Sequence, residues 1–218
     1  MRQGRATKHR IIAYGISLII LILIGLKLLS YYKHNVGVAR VTAEQTTPRE
    51  LDIVFGNDSA TLTVYMYSSY TCHFCRLFFA EVFPLLDSAY IKPGKVKLLM
   101  RLVDLSSNYQ MNNANRTAVC IGRYGYFGKL HELLLTDYRV IFAQEFTEMV
   151  NEFTMKDAHV AECILGHEAD DYLGRNRADF EKLGIKGTPA FIIDRNIYLG
   201  FRKYEEFRDI LELHLGEK

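Results

Sequence analysis

Residues 61–86 constrain this chain more than any other stretch. Thr61-Leu62-Thr63-Val64-Tyr65-Met66-Tyr67 is β-branched and aromatic, the composition of a strand. Ser68-Ser69-Tyr70-Thr71 leads from it into Cys72-His73-Phe74-Cys75-Arg76. Leu77, Phe78, Phe79, Val82, Phe83, Leu85 and Leu86 then recur at spacings that suit a helix buried on one broad face. A strand feeding such a helix sets Cys72 in its first turn, where unpaired backbone N–H groups and the helix dipole favour negative charge. The thiolate, which is the nucleophile, is therefore the favoured form. Two intervening residues bring Cys75 within bonding distance of Cys72, so the pair can cycle between dithiol and disulfide. Cys-x-x-Cys is also half of a zinc site. That site needs two further ligands, and the other two cysteines, Cys120 and Cys163, stand alone downstream, with no second Cys-x-x-Cys and no paired His motif. The strand-then-helix context favours a redox pair, and no metal ligands are assigned.

Charge is informative by its distribution. A net +2 over 218 residues makes no case for nucleic acid. Arg2, Arg5, Lys8 and Arg10 crowd into the first ten positions without an acid, and the remainder is close to neutral. The run from Ile11 to Leu29 that follows is apolar apart from Ser17 and Lys27, and Tyr31-Tyr32 closes it. About 20 apolar residues span a bilayer as a helix. The basic flank predicts a cytoplasmic N-terminus and export of everything after Tyr32. These features predict a basic segment at 1–10, a transmembrane anchor at 11–32 in the lipid bilayer, a linker at 33–50 and a folded domain at 51–218. Val41-Thr42-Ala43 leaves open a cleaved signal peptide, although the apolar run exceeds the roughly 7 to 15 residues of a signal-peptide core. Both readings put the domain where disulfides persist.

In chain order the domain reads as strands at Leu51–Phe55, Thr61–Tyr67 and Val96–Val103, with a helix from the cysteines to about Tyr90 kinked near Pro84. Strand, helix, strand makes a parallel βαβ unit. From about 105 to 166 the periods are helical, with candidates at Asn112–Tyr124, Phe127–Leu135, Phe146–Phe153 and Lys156–Leu165. This helical insertion of about 60 residues should cover the sheet and shape access to it. Asp170–Leu183 returns as a helix capped by Gly184. Gly187-Thr188-Pro189-Ala190-Phe191 opens a strand, Asp194-Arg195-Asn196 turns it into an antiparallel partner at Ile197–Phe201, and Tyr204–Leu215 is a terminal amphipathic helix on Phe207, Ile210, Leu211 and His214.

Cys-x-x-Cys after a strand, a helical insertion, and a Gly-Thr-Pro loop before a strand, turn, strand and final helix together resemble the DsbA-like branch of the thioredoxin superfamily, over about residues 50 to 215. The resemblance implies an α/β thioredoxin fold with an inserted helical domain, here preceded by one transmembrane helix. It implies a cis bond at Pro189, set against Cys72, with the backbone at Thr188 offered to an extended substrate peptide; an ordinary trans Thr-Pro turn is the alternative. It also implies that Cys120 and Cys163 pair within the insertion; two buried free thiols are the alternative. The chain departs from the family where many members carry a buried acid six residues before the first cysteine, here Met66, and a second acid near the strand end, here Ser69. Loss of both predicts a strongly depressed Cys72 pKa and slow proton exchange at Cys75. His73 and Phe74 replace the best-known proline-histidine pair and are the candidate tuners of potential; a surface His and a packing Phe are the plainer reading.

The activity implied is that of a thiol:disulfide oxidoreductase working as a dithiol oxidase, which introduces disulfides into exported proteins with Cys72 and Cys75 as catalytic residues and no bound cofactor. Its partners would be reduced or unfolded exported proteins and a DsbB-like membrane redox partner. Its place would be the bacterial inner membrane as a single-pass protein with a periplasmic catalytic domain. A reductase or isomerase using the same residues, and a non-catalytic chaperone or metal-binding module on the same scaffold, stand as alternatives.

Overall fold

The structure is a computed structural model and describes residues 15, 17–27, 36–37, 41–103, 105, 108–124 and 127–216. Strands β1 (Val36–Gly37), β2 (Ile53–Phe55), β3 (Leu62–Ser68), β4 (Val96–Leu102), β5 (Ala190–Ile193) and β6 (Asn196–Leu199) form a sheet in the order β1-β6-β5-β3-β4-β2. β3 and β4 are parallel, from Leu62 opposite Val96 to Ser68 opposite Leu102. The other neighbours are antiparallel. The parallel pair is joined by a helix, α1, made of the contiguous pieces His73–Leu77, Phe78–Val82, Phe83–Leu86 and Asp87–Ile91. Its second and fourth pieces are π turns. The first takes up the proline: the Phe83 N–H reaches back to the Phe78 carbonyl, so the helix widens immediately before Pro84, which has no N–H to give.

Alternation along the strands divides the core between two faces. Val64, Met66, Leu98, Met100, Leu102, Phe191 and Ile193 pack against Phe78, Val82 and Leu86 of α1 and against Phe207 and Leu211 of the terminal helix α7 (Tyr204–Gly216). Tyr65, Tyr67, Leu99 and Ile192 face the other way, onto Phe180, Leu183 and Val41. Between β4 and β5 the chain forms α2 (Tyr109–Arg123), α3 (Phe127–Thr136), α4 (Gln144–Lys156), α5 (Ala158–Leu165) and α6 (Glu168–Lys182). The boundaries are set by caps. Asn108 accepts the Met111 N–H at 3.2 Å and starts α2 three residues before the apolar period does. Asp157 caps α5, and Gly184 takes the left-handed conformation, φ +67°, that ends α6. Cys120 of α2 and Cys163 of α5 are joined by a disulfide, Cα–Cα 5.7 Å, 43 positions apart.

The expected linker is corrected over its last ten residues. Val41 and Gln45 are buried, and Ala43–Thr46 is a short 3-10 turn laid on the sheet. The cause is Arg101, an arginine near the end of β4 with no exposed surface. Its guanidinium donates to both Asp52 carboxylate oxygens at 3.0 Å, to the Gln45 carbonyl at 2.6 Å and to the Thr47 carbonyl at 2.7 Å. A buried cation must find acceptors, and residues 45–52 supply them. Arg49 extends the clamp to Asp179 and Asn176 of α6. The folded unit therefore reaches back before the expected boundary at residue 51: residues 41–50 are held on the sheet, and β1 at Val36–Gly37 already pairs with β6.

The basic segment 1–10 lies outside the described residues, as do 11–14, 16 and 28–32 of the expected anchor and 33–35 and 38–40 of the expected linker. Residues 17–27 are helical, with their side chains largely exposed. Among the described residues no helix is long and apolar enough to cross a membrane.

Candidate active site

β3 ends at Ser68, and four residues later Cys72 is the N-cap of α1, in extended conformation at φ −75°, ψ 117°. Cys75 follows one turn on, inside the helix and without exposed surface, whereas Cys72 is half-buried. Both are thiols here. Opposite them, the Thr188–Pro189 peptide is cis, and the Cys72 thiol donates to the Thr188 carbonyl at 3.0 Å. The Pro189 carbonyl in turn accepts the Gly200 N–H at 2.9 Å, which fixes the loop to the end of β6. Two segments 116 positions apart thus meet at one sulfur.

The two thiols are polarised in opposite directions. A hydrogen bond from the Cys75 thiol is the largest influence on Cys72 and lowers its pKa to about 5. The Thr188 side chain and the backbone N–H groups of Cys75 and Phe74 add to the effect, while partial burial opposes it. Cys75 moves up, first because it is buried and second because it donates to the neighbouring sulfur; Ser68 and the Ser69 backbone offset part of this. The expected depression of Cys72 is present. Its largest source is the second thiol, and the backbone N–H groups at the helix start act in the same direction. Met66 is fully buried beneath the site, and the Ser69 hydroxyl lies 2.9 Å from that of Thr71.

His73 and Phe74 are both exposed. The Phe74 ring is stacked on Phe201 at 6.3 Å, forming an apolar surface beside Cys72 and the Pro189 loop. Phe74 acts on Cys72 through its backbone N–H, whereas the His73 side chain lines a groove on the other flank of α1. Cys120 and Cys163, the remaining ligands a zinc reading of the four cysteines requires, are bonded to each other in the insertion and do not meet Cys72 and Cys75.

Four residues around the site, Ser68, Tyr70, Arg76 and His131, carry no mark in the sequence. Ser68 hydrogen-bonds the Cys75 sulfur. Tyr70, two residues before Cys72, is buried, and its hydroxyl is 3.1 Å from Nδ1 of His131 in α3. Burial pushes His131 down to about 3, so the ring is neutral. Arg76 donates to the Tyr70 carbonyl at 2.8 Å and lies 5.0 Å over the Tyr138 ring. The insertion is thereby tied to the loop that carries the cysteines.

Comparison with solved structures gives the same architecture. Wolbachia pipientis alpha-DsbA1 superposes with a TM-score of 0.67 at 20% identity, covering 81% of this chain and 97% of that one. Proteus mirabilis ScsC in a transitional conformation gives 0.65 at 19%, covering 100% and 98%. A thioredoxin-like oxidoreductase from Silicibacter pomeroyi DSS-3 gives 0.61 at 22%, covering 77% and 92%. The fold is thus that of the DsbA- and ScsC-type proteins. Curated proteins provide no significant match. The sequence profile described as Thioredoxin matches residues 49–213, a span that holds both cysteines of the motif, the Pro189 loop and the helical insertion, and the chain belongs to the thioredoxin family.

Proposed function

We propose that this chain is a thiol:disulfide oxidoreductase that donates the Cys72–Cys75 disulfide to cysteines of exported proteins. The observation that carries the reading is the opposed polarisation of the pair: an accessible sulfur stabilised as an anion beside a buried one held as a thiol. An attacking substrate thiolate bonds to Cys72 Sγ of the oxidised pair. The Cys72–Cys75 bond breaks, and its electron pair leaves on Cys75, which takes up a proton. A second substrate thiolate attacks the substrate sulfur of the mixed disulfide and expels Cys72 as a thiolate. Two substrate thiols become a disulfide, and the protein is left with the two electrons. A stabilised Cys72 thiolate is a good leaving group and favours the reduced protein, which is the property of an oxidant.

In the oxidised pair and in the mixed disulfide alike, Cys72 has no thiol proton, so the Thr188 carbonyl that accepts from the thiol in the reduced protein is open to a substrate backbone N–H. The Phe74–Phe201 surface gives an apolar contact for unfolded chain on the same side.

Reoxidation passes the two electrons to a membrane partner of the DsbB kind, with no cofactor bound by this chain. The apolar run at 11–32 and its basic flank support a single-pass anchor in the bacterial inner membrane with the domain in the periplasm. The Cys120–Cys163 disulfide suits the same oxidising compartment. The reductase or isomerase reading uses the same atoms in reverse, and Thr188 before the proline, a residue shared with isomerases of the superfamily, is what favours it. The reduction potential of the full chain, measured by equilibration with glutathione, separates the directions. A potential well above that of glutathione fits an oxidase, and one well below it fits a reductase.

A further inference from the structure

The flank of α1 that does not carry the Phe74–Phe201 surface borders an open groove of about 570 Å³. One wall is the stripe His73, Arg76, Leu77, Ala80 and Phe83, which recurs at helical spacing. The facing wall is the stripe Gly128, His131, Glu132, Leu135 and Thr136 of α3. The floor is the buried Phe79 ring, 4.8 Å from His131 in an edge-to-face contact. Leu77, Phe83 and Leu135 are half-buried on its sides.

Two observations distinguish this groove from a gap in the core. Each wall has a small residue where a large one fits: Ala80 is exposed, and a Cβ on Gly128 meets no atom within 4 Å. Interiors are close-packed, so an apolar trough kept open by small residues on both walls is room for something else. The second observation is location. The groove begins at His73, the residue after Cys72, and its α3 wall is tied by the His131–Tyr70 hydrogen bond to the loop that carries Cys72. Ala80, midway along the α1 wall, is eight residues from Cys72, about 12 Å along the helix, which an extended chain covers in about four residues.

Resting on the redox reading above, we propose that this groove holds an apolar side chain of the polypeptide bonded at Cys72, about four residues from the bonded cysteine. Covalent attachment at Cys72 decides the occupant, because the chain held there must cross one flank of α1 or the other on each side of its cysteine. The Phe74–Phe201 surface serves one direction and the groove serves the opposite one. The insertion is then a specificity element, and sequences with an aromatic or large aliphatic residue at that distance are the substrates it selects.

The test uses the full chain in lipid nanodiscs with its cysteine pair oxidised. The probes are serine-rich peptides with one cysteine and one phenylalanine placed at each position from five before to five after it. The reading expects a maximum in exchange rate about four residues from the cysteine on one side, about tenfold above the peptide without phenylalanine. Ala80→Phe and Gly128→Leu fill the groove from opposite walls, and each should remove that maximum. Circular dichroism establishes that both variants are folded, and either suffices if the other is not. A flat positional profile, or a maximum that survives in a folded groove-filling variant, overturns the proposal. Failure of every peptide to exchange faster than free cysteine overturns the redox reading and the groove assignment with it.

Discussion

The chain holds two cysteine pairs, and each sits in a different physical world. Cys72 and Cys75 share one helical turn, with one sulfur half-buried at a helix start and the other enclosed. Cys120 and Cys163 are 43 positions apart, both buried, and clasp two helices of the insertion. The first pair is surrounded by groups that distinguish its members: the Thr188 carbonyl, the N–H groups of Phe74 and Cys75, and the Ser68 hydroxyl. The second pair lies among apolar side chains. A cysteine pair becomes a redox site when its surroundings make its two sulfurs unequal and expose one of them. Without that asymmetry it is a staple.

Removing one sulfur from each pair should break this comparison most sharply. Cys72→Ala is expected to abolish peptide oxidation altogether, since Cys75 has no exposed surface from which to act alone. The Cys120→Ala, Cys163→Ala double variant should retain exchange rates within about twofold of the parent while losing about 4 kcal/mol of stability, the chain-entropy value for a loop of this length. Its midpoint of thermal unfolding should fall by about 10 °C for a chain of this size. A double variant that melts with the parent, or one that loses exchange, would erase the distinction between the pairs.

A finer probe is the titration of Cys72, followed by thiolate absorbance. The midpoint is expected near 5 in the parent protein. In Cys75→Ser it should stay below the usual thiol value of about 8.5, and in Cys75→Ala it should rise further, because the alanine removes the largest stabilising hydrogen bond outright. The sign for stability follows from the same shift. The folded pKa of Cys72 lies below the unfolded one, so this group stabilises the reduced protein above the unfolded value of about 8.5, and that contribution is lost as pH falls toward about 5; the raised Cys75 acts in the opposite sense only above about 8.5. The oxidised protein has no such titration, so the two forms should diverge in stability as pH rises through that window. Equal pH dependence of the two forms would remove the thiolate as a source of stability for the reduced form.

Much of this site is legible before any coordinates. The strand-cysteine-helix order, Gly184 at a helix end and proline at the head of a strand all depend on local backbone chemistry, and local chemistry is written in short windows. The rest depends on partners far away in the chain. Arg101 stands inside an apolar strand, and nothing nearby names Asp52 and the carbonyls of residues 45 and 47 as its acceptors. Residues 41–50 lack an apolar period because they are held by those polar bonds and by Val41, so they read as a tether. His131 sits in Leu130-His131-Glu132-Leu133-Leu134 and looks like one polar position on an amphipathic helix, yet it is buried against Tyr70, 61 positions earlier. Long-range polar pairing leaves no periodic signal.

The Tyr70–His131 contact joins the two regions compared above, and it should give the smallest effect. Tyr70→Phe removes one buried hydrogen bond and should cost about 1 kcal/mol, read by urea unfolding. His131 adds a pH signature that Tyr70 does not. Its folded pKa, lowered to about 3 by burial, lies below the unfolded value of about 6.5. Above about 6.5 the ring is neutral in both states and contributes no pH dependence. As pH falls from there toward about 3, only the unfolded chain takes up the proton, and stability is lost. His131→Phe keeps a ring over Phe79 and has nothing to protonate, so its stability should decline less steeply through that range than that of the parent protein. Cys72 titrates in part of the same window, so the comparison is made on the oxidised proteins, where only the histidine differs. If parent and variant lose stability in parallel, His131 is already charged in the folded state, and the insertion is not held to the cysteine loop through a neutral ring.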